Sequence, residues 1–185
     1  AACTGSNPMW TSTPDRTSVA SCVSSAATGS TINVFAGSAT WSSNISISGK
    51  NLTIIGAGAG NTVITTAAFT LTNSASRISG FTFDLGSGNQ FVVEASVGWR
   101  IDHNTITRPT HDNWLTTYGQ GTNFSEGLID NNYILRGRIV VFGEDSATAG
   151  RHTWSRALNL GTSRAVYIED NTIEYTGDPG SFGPL

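Results

Sequence analysis

One short phrase is written four times along this chain: Ile78-Ser79-Gly80-Phe81-Thr82-Phe83, Ile101-Asp102-His103-Asn104-Thr105-Ile106, Ile129-Asp130-Asn131-Asn132-Tyr133-Ile134 and Ile168-Glu169-Asp170-Asn171-Thr172-Ile173. In each, two large apolar residues stand five positions apart around a small or polar centre. Side chains of a straight strand alternate between its faces, so an odd spacing cannot keep both on one side. A turn must lie between them. Two short strands joined at the asparagine or glycine put both apolar side chains into one core, because Asn and Gly tolerate the left-handed backbone of such a corner. The phrases start 23, 28 and 39 residues apart, a period of coiled repeats and long for a hairpin array. This predicts a β-solenoid.

The rest of the chain agrees. From Thr31 onward brief apolar or alternating runs are punctuated by Gly, Ser and Asn: Thr31-Ile32-Asn33-Val34-Phe35, Ile45-Ser46-Ile47, Leu52-Thr53-Ile54-Ile55, Val63-Ile64, Phe69-Thr70-Leu71, Phe91-Val92-Val93, Ile139-Val140-Val141-Phe142 and Leu158-Asn159-Leu160. Several fall before or between the phrases, so each turn supplies about three strands, as in a three-sheet coil. One helix is expected, over residues 13 to 27, with Thr13 as cap, Pro14 in the first turn and Asp15 at the positive dipole end. Its apolar stripe of Val19, Cys22, Val23 and Ala26 suits a lid over the first coil. The expected organisation is an N-terminal cap over residues 1–28, a solenoid over 29–177 and a Gly- and Pro-rich tail over 178–185. Nothing in the tail resembles a plug, so the last coil is expected to present an open β edge, covered by further chain or by another copy.

At 185 residues the chain has the length of one domain with a real core. A net charge of −3 with only 12% charged residues gives no electrostatic footprint for nucleic acid or an anionic membrane. No apolar run reaches the roughly 20 residues that span a bilayer. Cys3 and Cys22, 19 positions apart, are expected either as a disulfide contributing roughly 3 kcal/mol or as two free thiols. The bridge fits a secreted or surface-exposed protein, and the start at Ala1-Ala2-Cys3 fits a processed mature end.

The phrases Ile-Asp-His-Asn-Thr-Ile, Ile-Asp-Asn-Asn-Tyr-Ile and Ile-Glu-Asp-Asn-Thr-Ile resemble the right-handed parallel β-helix repeats of the pectate-lyase-like superfamily. The segment Gly29-Ser30-Thr31-Ile32-Asn33-Val34-Phe35-Ala36-Gly37, followed by Leu52-Thr53-Ile54-Ile55-Gly56-Ala57-Gly58, is similar to the first coil of its secreted bacterial members. The resemblance covers about residues 13 to 177. It implies an all-β, single-stranded right-handed parallel β-helix with a short N-terminal capping helix. It also implies that Asn104, Asn132 and Asn171 stack as an asparagine ladder at the bend between the second and third sheets, beginning only at Asn104 because Gly80-Phe81 stands in the earlier coil. The fold hosts lyases, hydrolases, epimerases, tailspikes and adhesins, so it does not by itself choose a function.

Candidate chemistry falls in columns and in two long excursions between phrases, over residues 108–127 and 143–156. Asp102, Asp130 and Glu169 follow the first Ile of their phrases and would lie about 4.8 Å apart in stacked coils. Such carboxylates are either outward residues neutralised by Arg100, Arg136 or Arg164, or a cluster bridged by a cation such as calcium. Elimination of a uronan needs the substrate carboxylate neutralised and a base beside it. Arg138, Arg151, Arg156 and Arg164 are the candidate clamps and His152 or His111 the candidate base. Glu144 and Asp145 would suit an inverting hydrolase, but the family's hydrolase signatures are absent, which ranks hydrolysis below elimination. Trp114, Tyr118 and Trp154 either stack on sugar rings or pack the excursions against the coil, and His111 lies among them.

Two functions are consistent with these residues. One is a secreted β-helix that binds or cleaves an acidic polysaccharide, most readily as a lyase. The other is a non-catalytic structural or adhesive solenoid that forms homo-oligomers through its open C-terminal edge.

Overall fold

The computed structural model describes residues 3–87, 89–108, 112–119, 124–142, 161–162 and 165–176. The chain coils into a parallel β-solenoid of three sheets. The first sheet holds β1 (Thr4–Ser6), β2 (Met9–Ser12), β3 (Thr31–Val34), β6 (Thr53–Gly56), β9 (Arg77–Ser79), β12 (Val97–Asp102), β15 (Glu126–Asp130) and β18 (Val166–Glu169). The second holds β4 (Gly37–Thr40), β7 (Thr62–Thr65), β10 (Thr82–Asp84), β13 (Thr105–Thr107), β16 (Tyr133–Leu135) and β19 (Thr172–Glu174). The third holds β5 (Ile45–Ser48), β8 (Phe69–Thr72), β11 (Phe91–Glu94), β14 (Asn113–Tyr118) and β17 (Arg138–Val141). Successive coils pair in parallel, and among the described residues only β1 and β2 form an antiparallel hairpin. That hairpin, unforeseen in the sequence, extends the first sheet through β2 against β3.

Register turns the repeated phrase into columns. Ile32, Ile54, Ile78, Ile101, Ile129 and Ile168 face one another down the first sheet. Ala39, Ile64, Phe83, Ile106, Ile134 and Ile173 do so down the second. The members from Ile32 to Ile129 and from Ile64 to Ile134 are fully buried. Each such side chain contributes roughly 1.5–3 kcal/mol by leaving water. Between the columns runs a chain of rings, Trp41 to Phe69 to Phe83 to Phe91 to Trp114, with neighbouring centroids 4.8–6.3 Å apart. At the last described coil Ile168 and Ile173 are about half exposed, 48% and 47%.

The corner falls at the glycine of the first phrase, as the sequence predicts, and one residue before the laddered asparagine in the other three. Gly80, His103, Asn131 and Asp170 take the left-handed conformation, with φ of 77°, 54°, 53° and 50°. The asparagines expected there come next, and their side chains are thereby aimed along the stack. Helix α1 (Arg16–Ser25) lies over the first coil with Val19, Cys22 and Val23 buried. Its cap is Asp15, which accepts from the Ser18 N–H at 2.9 Å, and not Thr13, whose hydroxyl instead donates to Asp15 at 2.6 Å. The carboxylate is the stronger acceptor for the free N–H groups of the first turn. Lys50, the one lysine, donates to the carbonyls of Val23, Ser24 and Ala26 at the other helix end, at 2.7–3.0 Å. Cys3 and Cys22 are disulfide-bonded, which ties the hairpin to the helix.

Candidate functional site

Among the described residues, chemistry-bearing side chains gather at several places on the coil surface, two of which bear on the predicted site residues. The first is the bend between the first and second sheets in chain order, where the sequence reading numbered it second to third. Asn132 Oδ1 accepts from Asn104 N and Nδ2, Asn171 Oδ1 accepts from Asn132 N and Nδ2, and Asn104 Oδ1 accepts from Phe81 N. Each amide also donates across the bend, as Asn104 Nδ2 does to the carbonyls of Ile78 and Asp102. These bonds satisfy corner groups that no strand ladder reaches, so the asparagines are structural.

Beside the bend, on the outer face of the first sheet, arginine and aspartate alternate between coils. Arg77 grips Asp102 with Nε at 2.8 Å and Nη2 at 2.5 Å. One coil on, Arg100 grips Asp130 with Nε at 2.9 Å and Nη2 at 2.6 Å. Both are two-pronged pairs, the strongest form of this contact. Burial pushes the Asp102 carboxyl up, but hydrogen bonds from Arg77 and His103 and the charges of Arg77 and Arg100 outweigh it and hold it below the usual carboxylate range. Asp130 is held low by Arg100, against burial and with help from Asn131. Arg77 was absent from the sequence reading, which named Arg136 and Arg164 beside Arg100 as the neutralising cations.

The column does not fit calcium as arranged. Asp102 and Asp130 present no carboxylate oxygen without an arginine partner, and a dication would meet two guanidinium groups. Glu169 is in register with Asp130 but exposed. Among the described residues no three His, Cys, Asp or Glu side chains gather as a metal-binding group.

The second feature is a groove of about 470 Å³ along the leading edge of the third sheet, lined by Asn44, Gln90, Arg108, Asp112, Asn113 and Arg138 among others. Its floor is braced from within. Asn44 donates to Thr70 Oγ1 and the Gln90 carbonyl and accepts from Ala68 N, so one amide ties three coils. Arg108 is buried, with Nη1 on the Gly86 carbonyl and Nε on the Asn113 carbonyl, and burial lowers its pKa against the pull of Asp112. Arg138, at the start of β17, is exposed at the groove.

Arg138 is thus the one sequence-predicted clamp that the described residues place in the groove. Tyr118 lies at the far end of β14 from Asn113, and its hydroxyl pKa is raised by burial first and then by Glu94. Of the two roles open to Trp114 the structure gives packing, which corrects its candidacy as a sugar-binding residue: the indole is fully buried and packs edge-on against Phe91, with no face for a sugar. A large ring among alternating core positions gains more from burial than from exposure. Trp41 and Trp99 are core residues. His111, Arg151, His152, Trp154 and Arg156, with Glu144, Asp145 and Arg164, lie outside the described residues. Asn44, Gln90 and Asn113 were missed, since isolated neutral amides carry no spacing signal.

Compared with known proteins, the chain matches no family model, no curated protein and no solved structure.

Proposed function

We propose that this β-solenoid binds an acidic polysaccharide along the groove of the third sheet, with Arg138 pairing to a uronate carboxylate. The observation that supports this reading is the groove itself: an exposed guanidinium beside side-chain amides on a braced floor, running across successive coils. Guanidinium forks match carboxylates, and amides match sugar hydroxyls. A strand spacing of about 4.8 Å gives a near-linear run of positions for a linear chain.

Cleavage by elimination is the extension of this reading. A base would take the proton on the carbon beside the uronate carboxylate, the electron pair would form a ring double bond, and the glycosidic oxygen would leave and take up a proton. His152 is the candidate base and Arg151 and Arg156 the further clamps. Affinity electrophoresis in polygalacturonate and alginate gels tests binding: retardation that Arg138→Ala relieves supports it, and mobility unchanged with every polyuronate refutes it. Ultraviolet absorbance of an unsaturated uronate product then separates a lyase from a binding module.

A second reading rests on the half-exposed Ile168 and Ile173 of the last described coil. A second copy stacked there would cover both, giving a structural or adhesive assembly. Sedimentation that depends on concentration would support it.

A further inference from the structure

The arginine and carboxylate column of the first sheet follows a rule. The arginine of one coil reaches the carboxylate of the next: Arg77 on β9 to Asp102 on β12, then Arg100 on β12 to Asp130 on β15. The next pair in the series is Leu128 on β15 with Glu169 on β18. Leu128 stands in register with Arg100, so the carboxylate is kept and its arginine is replaced by an apolar side chain. Glu169 makes no ion pair with any described residue.

The place of the missing arginine is open. A mostly apolar cleft of about 450 Å³ lies there, and its walls include Arg100, Leu128, Thr162, Tyr167 and Glu169. Gly98 and Gly127 add no side chain to it, and Gly127 is required, because a Cβ there would sit 2.4 Å from the Trp99 ring. The Tyr167 hydroxyl accepts from Gly161 N at 2.7 Å and donates to the Thr162 carbonyl at 2.8 Å, which fixes the ring beside the cleft.

We propose that this cleft binds the arginine side chain of a partner polypeptide, whose guanidinium pairs with Glu169 as Arg100 pairs with Asp130. The occupant follows from charge and shape. Glu169 calls for a cation, and the two earlier coils show a guanidinium fork meeting a carboxylate at this position. Leu128 gives the aliphatic stem of an arginine an apolar seat, and the Tyr167 ring favours a cation against its face. The acidic balance of the chain, −3, works in the same direction. This site is on a different sheet from the groove and does not rest on the glycan reading.

The test is a titration of the whole protein followed by amide NMR, using N-acetylarginine amide and its uncharged isostere N-acetylcitrulline amide. Saturable shifts at Leu128, Tyr167 and Glu169 with the arginine compound and none with the citrulline compound are expected. Glu169→Gln, an exposed and conservative change, should weaken binding by about tenfold or more. Leu128→Arg should abolish it by supplying the missing arginine in cis. Absence of saturable shifts in the parent protein, equal response to citrulline, or unchanged affinity in Glu169→Gln would each overturn the proposal. If Leu128→Arg fails to fold, Glu169→Gln decides alone.

Discussion

Asn132 Oδ1 accepts hydrogen bonds from both the backbone N–H and the side-chain amide of Asn104, 28 residues earlier, at 3.0 and 3.2 Å. Asn132 Nδ2 donates in turn to the carbonyls of Ile101 and Asp130 and to Asn171 Oδ1. One buried side chain therefore holds three coils at their common corner. Asn132→Ala leaves those groups without partners and should cost about 2–4 kcal/mol. Asn171→Ala, at the half-exposed end of the ladder, should cost less because water reaches its partners. Urea unfolding of the two variants measures the difference.

The arginine and aspartate pairs set an acid limit. The native pKa values of Asp102 and Asp130 are both lowered, so the unfolded chain takes up their protons first. Their stabilisation is fully present above the unfolded carboxylate value of about 3.9 and is lost as pH falls through that value to the lower native one. Asp102→Asn keeps the shape, removes the charge and places amide hydrogens against Arg77. It should cost about 2 kcal/mol at neutral pH and flatten the fall of melting temperature below about pH 4. A variant whose acid limb matches the parent would refute this assignment.

Two glycines mark where coils touch through their backbones. A Cβ on Gly56 would sit 2.3 Å from the Gly80 carbonyl oxygen, and neither atom belongs to a flexible side chain. Gly56→Ala should therefore destabilise by about 2–3 kcal/mol, a melting shift of about 4–12 °C for a chain of this size. At Gly60 nothing lies within 4 Å, but φ is +85°. Gly60→Ala should cost only the smaller strain of a left-handed residue, about 1 kcal/mol. Calorimetry of the pair separates contact from conformation.

Replacing Cys3 by Ala opens the 19-residue link between hairpin and helix and leaves the buried Cys22 unbridged. The loss should be about 3 kcal/mol, read as a lower melting temperature that no longer responds to reductant.

The fold was legible in the sequence because its signal is periodic. The Ile101 and Ile106 spacing demanded a corner, and the phrase repeats brought both positions into columns. The helix over the first coil was legible from Val19, Cys22 and Val23. What stayed hidden depends on pairing between coils of unequal length. Arg77 meets Asp102 across 25 residues and Arg100 meets Asp130 across 30, so no fixed offset reveals either partner. The sequence puts Trp114 in a long stretch between phrases, yet its place in β14 turns it into the core. In the second phrase the corner slipped by one residue because the signal of an asparagine able to turn left-handed was carried by Asn104, while His103 makes the turn under the hold of Asp102 at 2.8 Å. The amides of the groove were invisible as a set, since Asn44, Gln90 and Asn113 come from three different coils.

Both proposed sites depend on coils stacked in this register, and the side-chain amides of the asparagine ladder report it directly. In NOE spectra of the labelled protein, the Nδ2 protons of Asn104 and Asn132 should show mutual contacts, well-dispersed shifts and slow exchange with solvent. Asparagine amides at random-coil positions, exchanging freely and without contacts between Asn104 and Asn132, would contradict the account.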